Sequence, residues 1–207
     1  MGEMQADKLN HFKEILTYSN PVGINQTTIV GHHPVYEVRS ETTSEEKTFQ
    51  GILAESGAQF VFNGHIHYPN LYVNRGSYTE AECPSFKDRY MYRIAAFDDD
   101  IASFSDVYLD QWPQIVVTSP IDARFYNPNM PLERMITHNE IRALLFDNVS
   151  ITSAYAEIDG KLIGDLINQR QNLWTVSYSP QNYQTGIHYL TIHASSFAWG
   201  CSQGTRF

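Results

Sequence analysis

Leu9, Phe12, Ile15 and Leu16 recur at helical spacing among Lys8, Lys13 and Glu14, which predicts an amphipathic helix over residues 5–18. Asn20-Pro21 stops it. Residues 27–30 form a short β-branched run, read as a buried strand, and Gly31 ends it before His32-His33-Pro34. After a polar stretch, residues 45–56 predict a second helix with Phe49, Ile52 and Leu53 on one face. Residues 59–62 read as a second strand, closed by Asn63-Gly64 and followed by His65-Ile66-His67. Strand and helix therefore alternate, and a histidine-bearing loop follows each strand. Such alternation predicts a layered α/β core, with ligand sites in the loops beyond the carboxyl ends of the strands.

The texture changes from Tyr90 onward. Residues 90–97 alternate as a strand, Asp98-Asp99-Asp100 makes a turn, and residues 102–109 read as the return strand. A turn is also a better account of these three aspartates than a calcium site. Trp112-Pro113 marks a boundary. Beyond it lie strand candidates at 115–118, 140–146, 152–158, 173–178 and 188–193, with Asp159-Gly160 as a tight turn. The expected architecture is an α/β part over 1–111, an antiparallel β-sandwich over 112–195 and an irregular tail over 196–207.

Composition narrows the function classes. A hydrophobic fraction of 42% and a charged fraction of 18% suit a globular chain with a real core. Thirteen Tyr and eleven Phe favour strands. A formal charge of -9 repels a phosphate backbone, so nucleic acid is not an expected partner. No run is apolar enough to span a bilayer, and the first sixteen residues lack the apolar stretch of a secretory signal. Cys83 and Cys201 are read as two unrelated thiols, since they match no C-x-x-C pattern. Asn25 and Asn148 begin Asn-x-Thr/Ser triplets, weak signals for glycosylation without a leader.

The histidines carry the chemistry. In extended backbone, His65 and His67 would share a face about 7 Å apart, able to chelate one ion or bracket two ions about 3.5–4 Å apart. His32 can converge from the neighbouring loop. Gly31 and Gly64 remove side-chain bulk where the backbone approaches an ion. His33 is a candidate phosphate contact, and Tyr68 a lesser candidate for the pocket wall. His138, His188 and His193 read as structural, and residues 169–171 as a solvated loop.

Gly31-His32-His33-Pro34 and Gly64-His65-Ile66-His67 resemble the last two signature motifs of calcineurin-like metallophosphoesterases. Tyr92-Arg93-Ile94, Phe97 to Asp100, Ser103-Phe104, Trp112-Pro113 and Pro131-Leu132-Glu133-Arg134 resemble the transmembrane protein 62 family. So do residues 148–160 and 174–186, and the likeness covers about residues 5–194. It implies that His32 and His65 bind one metal and His67 the other, in a Zn, Mn or Fe pair that hydrolyses a phosphate ester. It also implies an immunoglobulin-like domain followed by membrane helices. The family's Asp-x-His, Gly-Asp-x-x-Asp and Gly-Asn-His-Asp/Glu motifs are not found, nor are the membrane helices. The expectation is therefore a partial phosphoesterase, inactive by itself, for want of carboxylate ligands. The alternative is a non-catalytic, membrane-associated scaffold that binds a protein partner through its β-sandwich.

Overall fold

The computed structural model describes residues 2–19, 26–68, 72–131, 133 and 139–207. The helix stop at Asn20-Pro21, the Asn25 triplet, Leu132, Arg134 and His138 lie outside them. The chain divides into two compact units. The first holds Met1–Ser85 and Asn127–Met130, and the second holds Phe86–Tyr126 and Pro131–Phe207.

In the first unit, β1 (Gly2–Met4) pairs in parallel with β3 (Val38–Ser40). α1 (Ala6–Ser19) buries Leu9 and Leu16, while Ile15 of the expected apolar stripe faces solvent. α2 (Phe49–Glu55) starts on Thr48, whose side chain accepts a hydrogen bond from the Gly51 amide at 3.2 Å. That cap satisfies a helix N–H that has no partner inside the helix. Phe49, Ile52 and Leu53 are buried as their spacing predicts, in one cluster with Leu9, Leu16, Val35, Val61 and Tyr78.

A four-stranded sheet carries the histidine loops. Its order is β2 (Thr27–Val30), β4 (Ala58–Asn63), β6 (Thr79–Glu82) and β5 (Tyr72–Asn74). The β2–β4 and β4–β6 pairs are parallel, and β5 returns antiparallel. All six residues of the central β4 are buried, which suits a parallel strand covered on both faces. The segment around Asn127 returns to this unit: Asn127 donates to the Gln59 carbonyl, and Asn129 to those of Ala58 and Ser77.

The second unit begins with α3 (Phe86–Arg89) and a hairpin, β7 (Met91–Asp98) and β8 (Ile101–Tyr108). By compactness this hairpin clusters with the strands that follow it, although the α/β part was expected to reach residue 111. Asp98 is the reason its turn sits there. Its carboxylate takes both Nε and Nη2 of Arg142 at 2.8 Å and the Thr118 hydroxyl at 2.7 Å. Asp99 and Asp100 both adopt positive φ, 54° and 64°, the geometry of a two-residue hairpin turn.

Two antiparallel sheets make the sandwich. One orders β13 (Ile167–Arg170), β14 (Leu173–Ser177), β10 (Glu140–Phe146) and β9 (Gln114–Ser119). The other orders β12 (Lys161–Asp165), β11 (Ile151–Ile158), β15 (Tyr189–Ser196) and β16 (Gly200–Arg206). Alternate residues point inward: Ile141, Ala143 and Leu145 on β10, Ala154, Ala156 and Ile158 on β11, Leu190, Ile192 and Ala194 on β15. This period of two is what lets each sheet bury one face. Each large aliphatic side chain so buried contributes roughly 1.5–3 kcal/mol. Asp159 and Gly160 form the β11–β12 turn with φ of 51° and 74°. The tail was expected to be irregular. Instead β16 pairs with β15 from Tyr189↔Arg206 to Ser195↔Gly200, because Thr205 turns inward while its neighbours stay exposed.

The chain as a whole is mostly β-sheet. Its described helices are few beside the sixteen described strands, so the α/β expectation for the first part exceeds what the helices supply. No described helix is long and apolar enough to cross a membrane. Cys83 and Cys201 both keep the thiol form.

His188 fastens one end of the sandwich. Its Nδ1 meets Asp159 Oδ2 at 2.7 Å and its Nε2 meets the Gln184 carbonyl at 2.8 Å. Both partners only accept, so both ring nitrogens must carry protons, which defines the imidazolium. The Asp159 hydrogen bond, then the Gln184 carbonyl, raise the His188 pKa above 6.5. Asp159 is held below 3.8 by the same bond and by the Tyr189 amide. The stabilisation is therefore complete below pH 6.5 and lost as pH rises through the raised value. Between pH 6 and pH 9, wild type should lose more of its denaturant midpoint than His188→Gln does. Equal losses would show that the clamp does not matter.

Candidate metal centre

The two histidine loops leave adjacent parallel strands and are tied to each other by backbone. The Gly31 amide donates to the Phe62 carbonyl at 2.8 Å, and the Gly64 amide to the His32 carbonyl at 2.9 Å. Register thus carries His32 and His65 to the same end of the sheet. His32 Nε2 lies 3.2 Å from His65 Nδ1. The His33 ring stands between 4.3 and 4.7 Å from both, centroid to centroid. One ring nitrogen from each of His32, His33 and His65 falls within 4.8 Å of the others.

His67, which the resemblance assigns to the second metal, is not in that group. The expectation assumed extended backbone, in which His65 and His67 share a face. Instead both adopt left-handed conformations, with φ of 84° and 60°. A non-glycine residue there is strained by roughly 1–2 kcal/mol, so something must hold it. The glycines do not take up that strain. A Cβ on Gly31 would meet nothing within 4 Å, and one on Gly64 only ordinary contact with the His32 carbonyl at 3.7 Å.

What holds the loop is Glu82, 2% exposed at the end of β6. Its Oε1 accepts from the amides of both Ile66 and His67 at 2.9 Å. Burial raises its pKa, opposed by those two amides. Glu80, two residues earlier on the same face, serves the other loop. Its Oε1 accepts from the Val35 amide at 2.7 Å and the Asn63 side chain at 2.6 Å, while Arg75 neutralises its Oε2. Sequence reasoning missed both glutamates. The signal available was the pair Glu80-Ala81-Glu82 on a strand, with Arg75 near by.

It also missed Glu37. The Val35–Glu37 turn presents its Oε2 3.6 Å from His33 Nδ1 and 3.5 Å from His65 Nε2. The signal was its place four residues after His33. Burial, then the neighbouring His65, push His33 below 6.5. Tyr68 is 63% exposed. His193 stacks on Tyr155 at 4.5 Å and meets Glu157 at 3.3 Å, in keeping with its structural reading.

Comparison with known proteins bears on both units. Residues 109–198 match the TMEM62 Ig-like domain. The chain is homologous to mouse Transmembrane protein 62, 30% identical over an alignment of 207 positions that covers 96% of this chain. It spans about 30% of that relative's length. Among solved structures, a Cellulomonas fimi endo-β-1,4-mannanase double mutant aligns over 45% of this chain and 18% of its own. Its identity is 16% and its TM-score 0.32. An engineered protein aligns equally, over 19% of its own chain.

Removing the Glu82 carboxylate should leave two loop amides without their acceptor, at a cost of about 1–3 kcal/mol. In Glu82→Ala, hydrogen exchange at Ile66 and His67 should accelerate at least about tenfold, while Glu82→Gln keeps part of the protection. Unchanged exchange in Glu82→Ala would show that the loop is held by something else.

Proposed function

We propose that this chain is the binding part of a membrane-associated scaffold, with the Ig-like sandwich as its interaction module. The match of residues 109–198 to the TMEM62 Ig-like domain carries this reading. A fully packed sandwich offers a rigid platform on which exposed loops and edge strands can meet a partner protein. The homology to a transmembrane protein supports a membrane setting for the intact relative.

A second reading is hydrolysis of a phosphate ester. The convergence of His32 on His65 at 3.2 Å favours it, because these two positions also resemble metal ligands of calcineurin-like phosphoesterases. A bound divalent ion would polarise a phosphoryl oxygen and supply a hydroxide. His32 and His65 would hold it, and Glu82 would keep the second loop in shape. The donor set fits one cation better than a pair. Two cations repel each other and need a bridging carboxylate, and the described donor group is three neutral imidazoles.

The chain should therefore show no turnover of a chromogenic phosphate monoester or diester with added Mn or Zn. A rate in the usual enzyme range of about 1–1,000 per second, abolished by His65→Ala, would replace the scaffold reading by the hydrolytic one.

A further inference from the structure

We propose that Asn148, in the turn between β10 and β11, carries an N-linked glycan that covers the exposed aromatic tip of the neighbouring β15–β16 hairpin. Attachment needs a chain that enters the secretory lumen, so the site rests on the membrane-associated reading. It deepens that reading by assigning a side: the Ig-like sandwich faces away from the cytosol, and so does its partner.

The turn meets the demands of a glycan acceptor. Asn148-Val149-Ser150 is an Asn-x-Ser triplet with no proline at its middle position. All three residues are exposed, and no other described residue engages the side chain of Asn148 or of Ser150. The bend is held from outside the triplet, since the Val149 amide donates to Asp147 Oδ1 at 3.1 Å. The amide to be modified and the hydroxyl two residues on are therefore both accessible. Transfer forms a bond from Asn148 Nδ2 to the anomeric carbon of the first sugar. It breaks the bond from that carbon to the phosphate oxygen of a lipid-linked oligosaccharide diphosphate, and the amide gives up one proton as the lipid diphosphate leaves.

The hairpin tip supplies the second observation. Phe197 is 84% exposed, Trp199 60% and Val149 41%. The tip is a closed turn: the Ser196 amide donates to the Trp199 carbonyl at 2.7 Å, and the Trp199 amide to Ser196 Oγ at 3.2 Å. Ile151 is the register partner of Ser196, and the Thr152 hydroxyl donates to the Ser195 carbonyl at 3.0 Å. The two turns thus leave the sandwich side by side, with Ser150 one residue beyond Ile151 and Phe197 one beyond Ser196. A single exposed apolar side chain is ordinary, but several together mark a surface that something covers.

The chemistry of the tip suits a sugar. The face of an aromatic ring is electron-rich and attracts the polarised C–H groups of a pyranose. Neither residues 148–150 nor residues 196–200 include an ionisable side chain, which matches a neutral oligosaccharide. A glycan is bulky and solubilising, so it turns an apolar tip into a wet one.

The test uses the protein recovered from eukaryotic cells, with membranes separated from the soluble fraction. Glycosidase release in heavy-oxygen water, read by mass spectrometry, converts a glycosylated Asn148 into a labelled aspartate. We expect that label, its loss in Asn148→Gln and Ser150→Ala, and its retention in Ser150→Thr. Acrylamide quenching of tryptophan fluorescence should rise on glycan removal, and Trp199→Phe should abolish the rise. Unlabelled Asn148 in membrane-bound protein overturns the site and leaves the scaffold reading standing. Unlabelled Asn148 in soluble protein overturns both. A label on soluble protein supports the site and removes the membrane setting. A label with unchanged quenching overturns the covering of the tip.

Discussion

Two buried carboxylates on one short strand set the geometry of the first unit. Glu80 and Glu82 lie two apart on β6, so their side chains share a face and reach both histidine loops. Glu80 fixes Val35, and with it the turn that presents Glu37. Glu82 fixes Ile66 and His67, and with them the left-handed path that aims His65 at His32. A buried carboxylate is costly unless its oxygens are satisfied. Glu80 meets that demand with an amide, an asparagine and Arg75, and Glu82 meets it at Oε1 with two amides. The same desolvation that makes these groups expensive makes their hydrogen bonds strong. The strand therefore trades burial energy for a preformed arrangement of imidazoles.

The second unit rests on a different balance. Its two sheets bury alternate aliphatic residues, and its polar anchors are buried or half-buried ion pairs. Asp98 ties the β7–β8 turn to Arg142 and Thr118, while Asp122 accepts from Arg124 and Thr205. Arg93 and Asp106 pair across the hairpin with the guanidinium 4.1 Å over the Phe104 ring. Such a unit owes its form to packing, and the donor group found among the described residues lies in the first unit.

How much of this was legible in the sequence depended on where each side chain spends its interactions. β10 was read to the residue, because Ile141, Ala143 and Leu145 alternate with polar or half-exposed neighbours. β13 was invisible, since all four of its residues are exposed and no apolar pattern marks them. β6 was missed because its buried positions are Thr, Glu, Ala and Glu, which read as a loop until their hydrogen-bond partners are known. The histidine loops stood out through two Gly-His pairs at strand ends. Their ligand geometry did not, because the positive φ of His65 and His67 is imposed by Glu82 from fifteen or more residues away. Local periodicity reports burial along one element. It carries no trace of a carboxylate on another strand reaching into a turn.

The central claim is that the carboxylates of β6 impose the path of the histidine loops. The three-bond couplings between amide and α protons at His65 and His67, in wild type and in Glu82→Ala, test it most directly. Wild type should show the couplings of the left-handed conformation at both residues. Glu82→Ala should shift both toward the averaged values of a mobile loop. Unchanged couplings in Glu82→Ala would contradict the account.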